Sequence, residues 1–350
     1  MNQETHRPRS KAVSFERVDP RILTLFPELV RGLGGEPEAL LRRVGCDVGW
    51  SNLRSIEISY RQMINLVAFA ADELECLDFG MRLGHLQADA ITTPLRDVVR
   101  NSLTLGEALN HVVKLSYAHS LAAAIWLRRS PSEQTVTVGH DILLENLPDR
   151  RQAIEQILLV EYLICVEETG GLARARHVEF RHQPISSPAI YRSHFGCDAR
   201  FGQASDAIVY YESALTCPIL SPDSMVCRSL IADIDAAFAE HTPPLHATVR
   251  RVIMHLLASS QCTNVEVASQ FGLHTRRLHR GLTREGTTFQ KIKNQVRRDF
   301  LVYLLDKTDL PIAQISERLG FAEQSAMTRF CKQSLAVSPT ERRASARHPR

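Results

Sequence analysis

The chain has 350 residues, which is enough for two folded units. Apolar residues make up 44% and charged residues 23%, a balance that excludes collagen, disulfide miniproteins and a wholly disordered chain. The formal net charge of +3 is divided unequally along the chain. Residues 1–242 hold 24 Lys and Arg against 31 Asp and Glu, a net of −7, whereas residues 243–350 hold 18 against 8, a net of +10. The basic C-terminal part is therefore expected to meet a polyanion such as nucleic acid.

The sequence predicts no membrane segment, no metal site and no other cofactor. Its apolar runs are far shorter than the ~20 residues of a transmembrane helix. Residues 1–19 carry charge but no apolar stretch of signal-peptide type, so they are predicted to form a mobile tail. The eight cysteines lie far apart, which is typical of thiols in a reducing cytoplasm. His140, His182 and His194 match no spacing of metal ligands.

Residues 20–218 are predicted to form an α+β domain. Ser59 and Thr104 stand where helix caps are expected, and a long helix is predicted over 150–168. Strands are predicted over 121–127, 134–141, 177–181 and 207–211, the first two as a hairpin. Helices followed by strands mixed with helices indicate the α+β class. Glu161 interrupts the apolar stripe of the long helix; it faces either a ligand pocket or, as the pattern favours, a partly exposed edge.

A linker helix and a proline-rich boundary are predicted over residues 219–243. Ser221-Pro222-Asp223 has the form of a helix start, with Ser221 as the capping hydroxyl. Thr242-Pro243-Pro244 ends the helix, since two successive prolines cannot continue it. One side of this helix is apolar, which suits either a dimer contact or packing against its own domain.

Residues 244–345 are predicted to form an all-α domain with a duplicated motif. Val267–Leu273 and Ile315–Phe321 share one pattern, in which an apolar and a small residue precede two polar residues, an apolar residue, glycine and an apolar residue. Each copy predicts a helix-turn-helix unit, in which the second helix enters the major groove of DNA. A long helix over 289–304 connects the two units. It would hold the two reading helices about one DNA turn (~34 Å) apart.

These motifs resemble a known family of regulators. Leu319-Gly320-Phe321 with Ser325-Ala326, Arg329 and Ser338-Pro339-Thr340 is similar to the second-unit signature of the AraC/XylS-type transcription regulators, and the likeness covers about Pro244–Arg343. The resemblance implies a seven-helix DNA-binding domain. Five departures from the family pattern put the packing of these units in question: Gly281, Met327, Phe330, Cys331 and Ser334.

The N-terminal part resembles the arabinose-binding-type regulatory domain found in one branch of this family. The likeness is carried by residues 102–109, 178–180, 195–196, 200–202 and 215–218. It implies a domain that binds a small effector and helps dimerisation. The effector and its pocket residues are not specified by these motifs.

By the family pattern, side chains on the two reading helices contact DNA. The residues implied are Arg276, His279, Arg280, Gln324, Ser325, Thr328 and Arg329. An Arg side chain can donate hydrogen bonds to the two acceptors of guanine, and a Gln side chain can form paired hydrogen bonds with adenine. Four further basic residues are interpreted as phosphate-contacting or merely solvated: Arg277, Lys291, Lys293 and Arg297. The implied partners are double-stranded DNA, RNA polymerase, a small-molecule effector and a second copy of the chain.

The sequence therefore predicts a cytoplasmic, sequence-specific transcription regulator, an activator under effector control, and not an enzyme. Three alternatives remain open. One is a redox sensor that uses Cys217 and Cys227. Another is a DNA-repair or group-transfer enzyme with a reactive cysteine, and the third is a DNA binder that responds to no effector.

Overall fold

The computed structural model describes residues 15–46, 50, 56–239, 243–257 and 261–347. An N-terminal α+β region is followed by an all-helical C-terminal region, as predicted. The N-terminal helices are α1 (Phe26–Gly32), α2 (Pro37–Arg43), α3 (Tyr60–Glu73), α4 (Phe79–Ala90), α5 (Pro94–Asn101), α6 (Leu105–Leu115), α7 (Arg151–Glu168), α8 (Pro188–Phe195) and α9 (Ser224–Ala237). Short 3₁₀ helices cover Pro20–Leu23, Ser116–Ala118 and Glu212–Thr216.

One five-stranded sheet organises the N-terminal region. Its strands are β1 (Ala123–Ser130), β2 (Thr135–Ile142), β3 (Ala175–Glu179), β4 (Asp198–Arg200) and β5 (Ala207–Tyr211), in the order β1-β2-β5-β3-β4. All neighbours are antiparallel except β3 and β4. The four predicted strands are confirmed with small shifts of their ends, whereas the three-residue β4 was not predicted. Alternation along the strands places Val138 and Ile208 in the main core with Ile157 of α7.

Local capping signals account for most helix starts. Ser59 forms a full capping box with Gln62, and the Thr104 hydroxyl accepts from the Glu107 N–H, so both predicted caps are confirmed. The predicted cap at Ser221 is wrong. Helix α9 begins three residues later at Ser224, and the Asp223 carboxylate accepts from two N–H groups of its first turn. A carboxylate satisfies these donors and also suits the positive end of the helix dipole.

Both ends of the N-terminal region pack against it. Val18 is buried and bridges to Ser120, so the predicted mobile tail does not extend through residues 15–19; residues 1–14 lie outside the described residues. Helix α9 buries Cys227 and Ile234 in a small cluster with Val98 of α5. The apolar side of α9 thus packs against its own region.

In the described residues of the C-terminal region, all regular secondary structure is helical. Its helices are α10 (Leu245–Leu256), α11 (Asn264–Ser269), α12 (Thr275–Arg284), α13 (Phe289–Lys307), α14 (Ile312–Arg318), α15 (Gln324–Leu335) and α16 (Pro339–Arg347). This is the seven-helix arrangement that the resemblance implies. Across the described parts of the chain, no helix combines the length and apolar character needed to cross a membrane.

Four of the five departures from the family pattern are accommodated by packing. Met327 and Cys331 are fully buried in the C-terminal core, and the rings of Phe330 and Phe321 lie 5.5 Å apart. A Cβ at Gly281 would lie 2.5 Å from Leu245 Cδ2. The glycine therefore leaves room for the Leu245 side chain of α10 against α12, at the ~1 kcal/mol that glycine costs inside a helix.

Candidate functional site

The first helix-turn-helix unit consists of α11 and α12. Thr263 caps α11, Gly272 makes the turn at φ +61°, and the His274 imidazole accepts from the backbone of α12. Leu278 and Leu282 fix the inner face of α12 in the core. The opposite face leaves three predicted DNA-contacting side chains exposed: Arg276, His279 and Arg280.

The second unit consists of α14 and α15, joined through Gly320 at φ +64°. Buried Met327 anchors α15, and its outer side exposes Gln324, Ser325 and Arg329. Thr328 is half-buried, and its hydroxyl donates to the Gln324 carbonyl at 3.0 Å. The predicted contact residues are thus distributed over two separate surfaces, one for each unit.

Two basic residues of α13 have structural roles that the sequence interpretation missed. Arg297 donates to the carbonyls of Leu319 and Gly320 at 3.0 and 2.6 Å, and its guanidinium lies 4.1 Å from the centre of the Phe321 ring. Lys293 donates to the Cys262 carbonyl at 2.6 Å. Neither is a simple solvated or phosphate-facing cation; Arg297 instead fixes the turn of the second unit.

Helix α13 sets the separation of the two units. It has 19 residues, so at ~1.5 Å per residue it is ~28 Å long. Its buried residues Ile292, Val296 and Leu301 belong to the same core as both units. The two units are therefore parts of one packed body, with a connecting helix comparable in length to one turn of DNA.

A cavity of about 120 Å³ lies inside the N-terminal region between the sheet and helices α5, α6 and α7. Most of its lining is apolar, with Ile125, Val138, Ile157, Val160 and Ile208 among the lining residues. Its polar lining includes His119, His140 and Glu161. Glu161 therefore faces a cavity, and the interpretation as an edge position is wrong.

A hydrogen-bonded cluster closes one side of this cavity. His140 Nδ1 lies 2.8 Å from Glu161 Oε1, and its Nε2 lies 3.0 Å from the Tyr60 hydroxyl. Burial opposes protonation of His140, but the Glu161 carboxylate raises its pKa above the ordinary value. Burial, assisted by the neighbouring His140, lowers the pKa of His119 to about 4. The cluster thus holds one basic imidazole beside one neutral imidazole.

The other face of the same sheet contacts the C-terminal region. Asp141 Oδ2 lies 2.7 Å from His255 Nε2 of α10, and the His255 ring lies 4.9 Å from that of Trp126. Burial disfavours the charged carboxylate of Asp141, yet His255 and Arg181 hold its pKa below the usual range. Around this centre, Ala247 of α10 packs on Ala124 and Leu143. Further contacts across this interface are Arg298–Asn146, Lys307–Asp149 and Arg318–Gly202.

Histidines that could have suggested a metal site have separate partners. His140 pairs with Glu161, His182 lies beside the Gln183 carbonyl, and His194 pairs with Asp78. The described residues contain no cluster of three or more potential metal ligands.

Comparison with known proteins identifies the family. The model of the family described as the N-terminal arabinose-binding domain of AraC transcription regulator matches residues 34–219, more than half of the chain, and a helix-turn-helix domain model matches residues 267–345. The chain belongs to the AraC family of transcription regulators. It is a DNA-binding transcription regulator of the AraC type.

Relatives of this AraC-type regulator share its regulatory character. It is 28% identical over 320 residues to the HTH-type transcriptional regulator VirS of Mycobacterium tuberculosis, covering 91% of this chain and 94% of the relative. It is 30% identical over 110 residues to the transcriptional activator NphR of Rhodococcus sp., covering 30% of this chain and 33% of the relative. The solved transcriptional regulator CdpR of Pseudomonas aeruginosa has 19% identity and a TM-score of 0.38, covering 76% of this chain and 86% of that one.

Two cysteines of this AraC-type regulator, Cys165 and Cys197, do not resemble reactive thiols. Burial raises the pKa of Cys165 to about 12 and that of Cys197 to about 11, whereas a nucleophilic cysteine needs a lowered pKa. Cys227 is buried, 3.8 Å from the Ser102 hydroxyl, whereas Cys217 is half-buried. The comparisons also lend no support to the redox-sensor or enzyme alternatives, because the relatives are transcription regulators.

Proposed function

We propose that this AraC-type regulator activates transcription under the control of a small molecule bound in the N-terminal cavity. The observation that carries the proposal is the two-sided environment of β2. His140 lines the cavity, and the next residue, Asp141, pairs with His255 of the C-terminal region. Neighbouring residues of a strand point to opposite faces, so a displacement at His140 is transmitted to Asp141 through one peptide unit.

Effector control then follows from the interface. A ligand shifts a conformational equilibrium only if it binds two arrangements with different affinities. A molecule that moves β2 or α7 changes the position of Asp141 and hence how α10 is held. The reading helices α12 and α15 move together with α10, because the three helices share one core.

DNA recognition is proposed to use the exposed side of each reading helix. The contacting residues are Arg276, His279 and Arg280 of the first unit and Gln324, Ser325, Thr328 and Arg329 of the second. Arg280 and Arg329 are suited to guanine, and Gln324 to adenine. The hydroxyl hydrogen of Thr328 is already donated within α15, which leaves its oxygen as an acceptor and its methyl group for contact with DNA.

The remaining parts of the proposal concern organisation and partners. We divide the chain into a regulatory domain (20–218), on which residues 15–19 also pack, a linker (219–243) and a DNA-binding domain (244–345). Outward-facing apolar side chains at the start of α9, Met225 and Val226, support a homodimer contact. RNA polymerase is the proposed partner at promoters, and activation is supported by the relative NphR, which is named a transcriptional activator. The proposed location is the cytoplasm, because a regulator of transcription acts where the chromosome lies and the relatives are bacterial.

Transcription in vitro tests the proposal. The full chain is first used to enrich its preferred site from random DNA, and that site is placed upstream of a weak promoter. We expect more transcript from this template than from one with a scrambled site. Less transcript would make the protein a repressor.

The same assay tests the interface. Asp141→Asn should change the level of transcript, and the exposed Asp72→Asn serves as the matched control. Equal transcript from both variants and from the wild type would refute control through β2.

A further inference from the structure

We infer that the N-terminal cavity takes a compact, uncharged, mainly apolar molecule that carries a hydroxyl group held by Glu161 and His119, with Tyr210 placed to meet a second hydroxyl on the far side. The inference deepens the proposed function and rests on it, because it assumes that this cavity is the effector site.

The size and lining of the cavity favour a compact apolar body. Its volume is about 120 Å³. An engineered apolar cavity of about 150 Å³ binds benzene, so a single six-membered ring is the appropriate scale. Aliphatic side chains surround it from three helices and three strands, including Val99, Leu109, Val112, Ile164 and Ile208.

Unpartnered polar atoms inside this apolar lining indicate a hydroxyl group. Among the described residues, Glu161 Oε2 and His119 Nε2 have no hydrogen-bond partner although both atoms are buried. The Tyr210 hydroxyl is also buried, with the Cys165 thiol beside it but no oxygen or nitrogen partner in the described chain. Buried polar atoms are normally paired, so the two atoms without any partner, Glu161 Oε2 and His119 Nε2, point to a ligand that completes them.

These atoms lie along one stretch of the cavity. The rings of His119 and His140 are 6.2 Å apart, and His140 bonds to Glu161. The Cys165 thiol lies beside the Tyr210 hydroxyl. Cys165 follows Glu161 by about one turn of α7, a rise of ~6 Å along the helix. A ring-sized molecule therefore reaches the Glu161 end with a hydroxyl while its body fills the apolar part. A second hydroxyl on the far side would meet Tyr210.

The surroundings of the cavity disfavour both ionic classes of ligand. A carboxylate would face Glu161 and find no available cation, because the only lining guanidinium, Arg96, is bonded to the Ala88 carbonyl and pairs with Glu167 and Glu168. An ammonium group would have to leave water for this mainly apolar cavity, where the Glu161 carboxylate is already paired with His140 at 2.8 Å. A neutral hydroxyl instead donates to Glu161 Oε2 and can accept from, or donate to, the neutral His119.

A matched series of cyclohexyl compounds tests the inference on the full chain. The probes are cyclohexanol, methylcyclohexane, cyclohexanecarboxylate and cyclohexylamine, and the readout is titration calorimetry. We expect cyclohexanol to bind at one site per chain, and the other three to bind at least about tenfold more weakly. Glu161→Gln should weaken cyclohexanol binding about tenfold, because a hydrogen bond to a charged acceptor becomes a neutral one.

The control is Glu133→Gln, the same change at an exposed position in the β1–β2 turn, which should leave binding unchanged. Tyr210→Phe removes only one hydroxyl and provides a second variant if Glu161→Gln does not fold, as judged by circular dichroism. It should leave the affinity for cyclohexanol within about threefold of the wild-type value and weaken the binding of a cyclohexanediol.

Each remaining outcome overturns a specific statement. Tighter binding of the carboxylate or the amine overturns the assignment of an uncharged ligand, and equal binding of methylcyclohexane overturns the hydroxyl. No binding by any probe overturns the inference as a whole. If cyclohexanol binds through Glu161 but leaves the affinity for the enriched DNA site unchanged, effector control fails while the ligand class stands.

Discussion

The two glycines that make the helix-turn-helix turns should respond very differently to the same substitution. Both have a left-handed backbone, Gly272 at φ +61° and Gly320 at φ +64°. Alanine in this conformation costs about 1–2 kcal/mol. At Gly272 an added Cβ meets nothing within 4 Å, so Gly272→Ala should cost only that amount.

At Gly320 an added Cβ would lie 2.0 Å from the Leu257 carbonyl oxygen. The backbone must shift to relieve this overlap, and the carbonyl that accepts from Arg297 shifts with it. Overpacking of this kind adds about 1–3 kcal/mol, so Gly320→Ala should cost about 2–5 kcal/mol in total.

Hydrogen exchange with mass spectrometry measures this difference on the full chain, because peptides from α11–α12 and from α14–α15 report their opening free energies separately. We expect faster exchange in α14–α15 for Gly320→Ala, and a smaller effect confined to α11–α12 for Gly272→Ala. Equal losses in the two variants would refute the reasoning, because backbone strain alone would then explain both.

Three further predictions concern other contacts of the structure. Arg297→Met removes two hydrogen bonds to backbone carbonyls and should lower the free energy of unfolding by about 2–4 kcal/mol, measured by urea denaturation. Asp141→Asn should loosen the contact with His255 and increase the radius of gyration in small-angle scattering. His119→Gln should make stability less dependent on pH, since the pKa of His119 is about 4 when folded and ~6.5 when unfolded.

The sign of the pH effect follows from proton binding. Between these two pKa values the unfolded chain binds more protons at His119 than the folded chain, so acid destabilises the fold. From about pH 7 to about pH 5 the loss reaches roughly 2 kcal/mol for this residue. Parallel pH profiles for His119→Gln and the wild type would contradict the lowered pKa.

For Asp141→Asn, an unchanged radius of gyration would show that the interface does not depend on this pair.

Much of the architecture could be predicted because its signals are local. Ser59 and Thr104 cap helices with hydrogen bonds to residues three positions away, and alternation along the chain marks β2. The two helix-turn-helix turns share a short sequence pattern, and its glycine adopts the left-handed conformation that the turn requires. Such features need no knowledge of distant parts of the chain.

The site features that escaped prediction depend on contacts between distant residues. Glu161 faces the cavity because α7 packs on the sheet where His140 lies, 21 positions away. Arg297 is a structural residue because the turn at Gly320 approaches it from 23 positions along the chain. The pairing of Asp141 with His255 joins two regions that the charge division separates, and no short motif encodes it.

The central claim is that two helix-turn-helix units read DNA through α12 and α15, and site selection with variant chains tests it most directly. The wild-type chain should enrich two conserved blocks about 10 base pairs apart from random DNA. Arg280→Ala should reduce the base preference in one block and Arg329→Ala in the other, and each should weaken DNA binding by about 1–3 kcal/mol. The control Arg200→Ala, at an exposed position, should change the base preference in neither block. A single block, no enriched sequence, or loss of the same block in both variants would contradict the account.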